Sequence, residues 1–345
     1  MTSTALTRTT EIVLPGEVEP TGLQVTERDL PAPAAGQVAL RMEATGVSFA
    51  EQQMRRGKYY DQPPYPFVLG YDVVGTVTAV GARGDAAMVG HRYAAVTKIG
   101  GWASHLLLDA ADLVAVPDEV GSAAAEAVAV NGVTAWQMLH RTAKVAEGGA
   151  IVVLGANGGV GSLLVQLARQ AGITVIGTAS TRHHDLLREL GATPVDYREP
   201  DMYQRIRALA PEGVDAVFDH VGGPGLTESW KLVRRGGTLV SYGTAATKDV
   251  AGNSQLPVLQ SFARLGMWNA LPNGKNAYFY NFWAGRRDLD TFRARLRGDL
   301  TTVLRLVAEG VLTPQIAAEF PLNQAASALQ LAESRTVAGK VVIVA

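Results

Sequence analysis

The strongest chemical signal in the sequence is the run Ala156-Asn157-Gly158-Gly159-Val160-Gly161, set between the apolar stretch IVVLG (151–155) and the amphipathic stretch SLLVQLARQAG. Glycines at this spacing allow a turn so tight that backbone can approach a pyrophosphate, which then rests on the N-terminus of the next helix. The glycine pattern alone also fits an ordinary strand-to-helix turn. The strand before it and the helix after it are what point to a dinucleotide.

The following apolar stretch bears on which dinucleotide. A site for NADH usually ends its second strand with Asp or Glu, which binds the ribose 2′-hydroxyl. Here the stretch ends Gly177-Thr178-Ala179-Ser180-Thr181-Arg182-His183-His184, with no acid before Asp185. Arg182 falls where a 2′-phosphate would lie. A cation at a helix start is badly placed for the helix dipole, so a nearby anion explains it better than simple exposure. Each charge-assisted contact of that kind is worth ~1.5–3 kcal/mol, and NADPH is expected over NADH.

The elements that must position this chemistry follow from length and texture. A chain of 345 residues predicts two domains at ~150 residues each. The first 120 residues are rich in Gly and Pro and carry short β-type runs: EIVL, QVALRMEA, YDVVGTVTAV, HRYAAVT and LLLDAADLVAV. They predict a twisted, mostly antiparallel, barrel-like domain. From about residue 123 apolar strands alternate with amphipathic helices, which predicts a parallel sheet covered on both faces. The last hundred residues hold a long helical stretch (288–309), a helix near 323–333 and the closing strand GKVVIVA. That strand is too short to stand alone and most simply returns to the N-terminal sheet. The first domain is then discontinuous, with expected boundaries 1–125 plus 285–345 around an inserted 126–284.

Composition removes several function classes. With 31 Lys and Arg against 32 Asp and Glu, the net charge of −1 lacks the basic excess that drives nucleic-acid binding. A hydrophobic content of 47% against 18% charged excludes disorder. The absence of cysteine excludes disulfides, thiolate metal sites, iron–sulfur clusters and cysteine nucleophiles. MTSTALTRTT lacks the apolar core of a signal peptide, and AAAEAVAV (123–130) is broken by Glu126 and falls well short of the ~18 residues of a membrane span. A cytoplasmic location with no membrane partner is expected.

Six segments then carry a family resemblance: VSFAEQQMRRGKY (47–59), PFVLGYDVVGTV (66–77), NGVTAWQML (131–139), GANGGVG (155–161), FDHVGG (218–223) and GKVVI (339–343). In this order and spacing they resemble the zinc-independent, quinone-oxidoreductase-like branch of the medium-chain dehydrogenase/reductase superfamily. The resemblance implies an α/β fold, with a doubly wound parallel Rossmann sheet inserted in a GroES-like, mostly antiparallel β-barrel domain. It implies cofactor contacts from Thr134, Gly158, Gly159, Val160, Ser180, Tyr197, Val221, Gly222, Ser241 and Gly243, to which the turn adds Asn157 and the second strand Arg182. Tyr197 matches a tyrosine that packs at the adenosine 2′-phosphate. Phe279 is placed with the cofactor contacts, and with Tyr59, Tyr71 and Trp268 as apolar lining of a cleft.

Departures from the family pattern sharpen the reading. Zinc-dependent relatives take ligands at positions that are Ser48, Tyr71 and Asn131 here, and these are poor substitutes for Cys, His or carboxylate. No metal is expected. Ser48 and Glu51 replace the Asn and Asp of the quinone-reductase motif, while Arg55, Gly57 and Tyr59 match it. Tyr59, Tyr71, Asn131 and Ser48 are therefore the candidate catalytic groups, aimed at a carbonyl oxygen that becomes negative as hydride arrives. The expected function is NADPH-dependent reduction of a quinone or an activated C=C bond by a homodimer, pairing through the strand 277–282. An enoyl-thioester reductase with a carrier docked near Arg286, Arg287, Arg293, Arg295 and Arg297 is a second reading, beside a plain solvated helix face for that run. A non-catalytic NADPH-binding redox sensor, its cleft plugged by Trp268, Tyr278, Phe279, Tyr280, Phe282 and Trp283, is a third. Asp219 and His220 suggest a dyad, but an aspartate that ends a strand is read as structural.

Overall fold

The computed structural model describes residues 7–247 and 255–345. Two compact units emerge, one formed by Met1–Val133 with Gly285–Ala345, the other by Thr134–Ala284.

In the first unit the β-type runs become β1 (Thr7–Leu14), β2 (Gln24–Leu30), β3 (Gln37–Val47), β4 (Phe67–Val68), β5 (Asp72–Val80), β6 (Arg92–Val96), β7 (His105–Asp109) and β8 (Val114–Ala115). The end of the chain adds β15 (Ile316–Pro321) and β16 (Lys340–Val344). The main sheet runs β15-β16-β3-β5-β6-β8, with β7 also on β3, beside a small β2-β1-β4 sheet. All pairings are antiparallel except β15 with β16. The closing strand does join the N-terminal sheet: Val341 lies opposite Val47 and Thr45 opposite Val73. This register brings Ser48, Asp72 and Lys340, each one step beyond, to the same end of the sheet. Helix α1 (Phe49–Arg55) starts there, with Ser48 as its N-cap and Glu51 three residues on. Helices α2 (Ser122–Ala129), α9 (Leu289–Ala308) and α10 (Ala325–Glu333) complete the unit.

In the arginine run near α9, Arg286, Arg287 and Arg297 are exposed, while two of the five make contacts to residues 109–112. Arg293 holds Asp112 at 2.7 Å and Asp109 at 3.0 Å, and Arg297 donates to the Ala111 carbonyl at 2.8 Å. These arginines tie α9 to the turn after β7.

The chain passes through α3 (Asn131–Trp136) and a π-helical turn (Gln137–Ala143) into the second unit. Its strands β9 (Ala150–Val153), β10 (Thr174–Ala179), β11 (Ala192–Asp196), β12 (Val214–Asp219), β13 (Val233–Ser241) and β14 (Asn276–Phe279) form one parallel sheet in the order β11-β10-β9-β12-β13-β14. The connecting helices are α4 (Gly159–Gln170), α5 (His184–Leu190), α6 (Met202–Leu209), α7 (Leu226–Leu232) and α8 (Gln255–Ala270). The strand order reverses between β9 and β12, so right-handed crossovers cover both faces and a switch point opens at the strands' C-terminal ends.

Two sequence expectations are corrected here. The strand expected over 277–282 is Asn276–Phe279, because Phe282 leaves it to pack edge-on against Trp283 at 5.4 Å. Trp268 is core rather than cleft lining: it stacks on Trp230 at 4.9 Å and 1° and is buried among Leu232, Leu239 and Ala277. Among the described residues no helix is long and apolar enough to cross a membrane.

Candidate functional site

The glycine-rich turn follows β9 directly. Gly155 donates to the Thr178 hydroxyl at 3.0 Å and Ala156 to the Thr178 carbonyl at 2.9 Å, fastening the turn to β10. A Cβ on Gly161 would drive into the Gly155 carbonyl oxygen, so only glycine lets α4 start this close to the turn. At Gly158 an added Cβ meets only the Gly155 oxygen, at 3.4 Å. Open backbone there, and a twelve-residue helix whose N-terminus has no side-chain cap, fit a pyrophosphate.

Because the sheet is parallel, the expected cofactor residues that follow its strands share one edge. Ser180 and Arg182 follow β10, Tyr197 follows β11, Val221 and Gly222 follow β12, Gly243 follows β13, and Ser241 and Phe279 end β13 and β14. The loops after β12 and β13 are zipped together by Ala245 N–H to the His220 carbonyl and Ala246 N–H to the Val221 carbonyl. Asp219 is structural: fully buried, its carboxylate accepts from Val221 N–H (2.8 Å), Gly222 N–H (2.9 Å) and the Ser229 hydroxyl (2.7 Å). His220 turns its Nδ1 to the Leu154 carbonyl at 2.9 Å, so the pair is no catalytic dyad. Thr134 is buried in α3.

The rim after β10 and β11 is organised by a residue the sequence reading passed over. Asp196 is buried and accepts from Thr181 N–H at 2.9 Å, from the Thr181 hydroxyl, and from Arg198 at 3.0 Å. Its hydrogen bond with Arg198 holds its carboxyl well below the usual range against the opposing effect of burial, and Thr181 adds to this. It thereby locks the Ser180–Arg182 loop to the Tyr197–Arg198 loop, leaving Arg182, Tyr197 and Arg198 exposed together. Arg198 is the missed cation; its place directly after Tyr197 in VDYRE was the available signal.

The first unit holds the other candidate group. The Tyr59 and Tyr71 hydroxyls lie 2.9 Å apart, with rings edge-on at 6.3 Å and side chains 8% and 5% exposed. Burial, and then Tyr71, raise the Tyr59 phenol far above its ordinary value, so it keeps its proton, and either hydroxyl of the pair can be the donor. Tyr71 is anchored through its backbone N–H, which donates to Glu51 Oε1 at 2.8 Å. Glu51 Oε2 accepts from Ser48 N–H at 2.9 Å and is paired with the Ser48 hydroxyl. Glu51 has no exposed surface, and burial raises its carboxyl, with nearby Asp72 adding to the effect. Beside it Lys340 meets Asp72 at 2.7 Å and Glu126 at 2.5 Å, all three buried. Burial alone would lower the Lys340 ammonium, but the two carboxylates outweigh it and hold it above its ordinary value. Asn131 is buried at the start of α3, 6% exposed.

Comparison with known proteins now adds to the geometry. Residues 34–118 match the alcohol dehydrogenase GroES-like domain and residues 190–343 the zinc-binding dehydrogenase domain. The human synaptic vesicle membrane protein VAT-1 homolog is 30% identical over 317 residues, covering 91% of this chain and 80% of its own. A mycobacterial quinone oxidoreductase is 26% identical with a TM-score of 0.79, covering 98% of this chain and all (100%) of its own. A mycobacterial protein solved in complex with NADPH is 26% identical with a TM-score of 0.82 and the same coverage. The chain belongs to the zinc-independent, quinone-oxidoreductase-like branch of the medium-chain dehydrogenase/reductase superfamily. Its fold is that of the superfamily: a doubly wound Rossmann sheet inserted in a GroES-like, mostly antiparallel β domain.

The zinc in the matched domain's description finds no fitting donors here. At the ligand positions the Ser48 hydroxyl is engaged by Glu51, the Tyr71 hydroxyl by Tyr59, and Asn131 is an amide. Of the buried carboxylates, Glu51 is engaged by Ser48 and the Tyr71 N–H, and Asp72 and Glu126 hold the Lys340 ammonium.

Proposed function

We propose that this oxidoreductase reduces a quinone, or an activated alkene such as an enone, by direct hydride transfer from NADPH without zinc. The reading is carried by the Tyr59–Tyr71 hydroxyl pair, which stands where zinc-dependent relatives hold a metal ligand. A carbonyl oxygen that gains negative charge needs donors fixed in place and little solvent; a buried phenol that keeps its proton meets both needs. Ser48 and Asn131 are the further polar groups offered to that oxygen. Oxidation of simple alcohols would need a Lewis acid or a base to take the hydroxyl proton, which these side chains do not supply.

NADPH is the cofactor. Hydride from its nicotinamide is the chemistry it brings; the chain's part is to bind and orient it. The bare turn at Asn157–Val160 takes the pyrophosphate, Arg182 and Arg198 offer cations to the 2′-phosphate, and the edge from Val221 to Phe279 takes the nicotinamide half. The relative solved with NADPH supports this choice.

The deciding experiment is NADPH consumption against quinones, enones, enoyl thioesters and, in reverse, simple alcohols. Turnover of an enone or quinone is expected. Activity confined to enoyl thioesters would move the reading to carrier-bound substrates. Tight NADPH binding with no turnover on any substrate would make the protein a sensor.

A second copy of this chain is the partner we propose for the free edge of β14. Tyr278 is 43% exposed on that strand, and Leu259, Phe262 and Met267 on α8 are exposed as well. A two-fold pairing covers such an edge with itself. Light scattering at working concentration tests it, and a mass of 36.5 kDa would overturn it.

A further inference from the structure

Reduction of a C=C bond needs a proton as well as a hydride, and its source in this protein is open. The buried carboxylates beside Tyr71 bear on it. Glu51, Asp72 and Glu126 gather around a single ammonium, that of Lys340. Fully ionised, the group would carry two uncompensated negative charges out of water, which is far costlier than retaining a proton. Lys340 bonds to Asp72 and Glu126 directly. Glu51 has no cation in bonding distance; its partners are the Ser48 and Tyr71 backbone N–H groups and the Ser48 hydroxyl.

Resting on the reading above, we propose that Glu51 is the proton store of the reaction and delivers its proton through the Ser48 hydroxyl to the enolate or quinol oxygen left by hydride transfer. A carboxylate in a surface capping box makes the same contacts while ionised in water. This one is closed from water and faces Asp72, and the Ser48 whose hydroxyl it holds is only partly buried. The step balances. Hydride reduces the substrate carbon and leaves NADP⁺ and an enolate. The Ser48 O–H bond then breaks toward the enolate while the Ser48 oxygen takes the proton from Glu51 Oε2. The Glu51 carboxylate that remains is met by two backbone N–H donors, and a proton from water restores the acid.

The groups facing Glu51 are Ser48 at its own helix start, Tyr71 and Asp72 at the start of β5, Lys340 on β16, and, through Lys340, Glu126 on α2. Of these, Asp72 opposes ionisation of Glu51, while the Ser48 hydrogen bond and then Lys340 favour it. Burial is the largest effect and, with Asp72, raises the Glu51 carboxyl.

Three measurements test the relay on the full chain with an enone or quinone that the wild type turns over. Glu51→Gln is expected to lower kcat about 100-fold with KM nearly unchanged, and to remove the fall of kcat at high pH that ionisation of Glu51 causes. Glu51→Asp should restore part of kcat and keep a displaced alkaline fall, whereas a purely structural role leaves the pH profile of the residual activity as in the wild type and overturns the relay. Infrared difference spectra of wild type minus Glu51→Gln should show a protonated carboxyl band at neutral pH without any substrate, and a carboxylate band there would overturn the proposal. Failure of every substrate would sink the function reading instead, and the infrared measurement would still decide the state of Glu51.

Discussion

The edge of the Rossmann unit and the polar centre of the GroES-like unit handle charge in opposite ways. At the edge the work is done by backbone: N–H groups at Gly159 and Val160 without a side-chain cap, a glycine at 161 that a Cβ would jam, and Arg198 held at the surface by Asp196. In the centre it is done by side chains: three carboxylates, one ammonium and two phenols, all buried. The first arrangement waits for a charged ligand to complete it. The second carries its own counter-charge, the Lys340 ammonium between Asp72 and Glu126. A site that binds a polyanion must leave its donors free, whereas a site that manages a transient negative charge must fix them in advance.

The largest expected effect comes from removing the internal balance. Lys340→Met strands Asp72 and Glu126 and should cost about 3–5 kcal/mol of stability in urea unfolding at neutral pH. A loss under about 1 kcal/mol, as for a surface pair, would mean the centre is not sealed from water. Next is Tyr59→Phe, which should slow turnover roughly 10–1000-fold as an oxyanion donor is lost, with NADPH affinity unchanged in calorimetry. Full activity in that variant would remove the tyrosine from the mechanism.

Gly161→Val attacks the other region. Its Cβ meets the Gly155 carbonyl, and overpacking of about 1–3 kcal/mol should weaken NADPH binding by up to about 100-fold, while the Tyr59–Tyr71 pair is left alone. Arg182→Ala should lower the preference for NADPH over NADH by roughly tenfold through one lost charge-assisted contact; equal affinities in the wild type would remove the 2′-phosphate assignment.

The smallest effect is a slope. Glu51 has its folded value raised, so between its unfolded value near 4.3 and that raised value the folded state binds more protons than the unfolded state. Wild-type stability therefore falls as pH rises through this window, by at most about 1.4 kcal/mol per pH unit for one group. Glu51→Gln should flatten that fall, compared by urea midpoints from pH 4 to 8. An unchanged slope would mean Glu51 is ionised in the fold.

The local pattern of residues determined much by itself. Periodicity and turn chemistry marked the strand–turn–helix around Gly158, the alternation of the Rossmann unit and the return of GKVVIVA to the first sheet, because each depends on neighbours a few residues apart or on a strand too short to fold alone. The missing acid after β10 was legible for the same reason. Tertiary structure alone decided the rest. Glu51, Asp72, Glu126 and Lys340 stand up to 289 positions apart in the chain, and the β3–β5–β16 register with α1 and α2 packed on it brings them together. Arg198 joined Arg182 and Tyr197 at one rim through Asp196, and Trp268 went to the core because Trp230 offered it a stacking face. Burial sets the cost of each charge, and burial is a property of the folded neighbours, which no residue type carries in its own name.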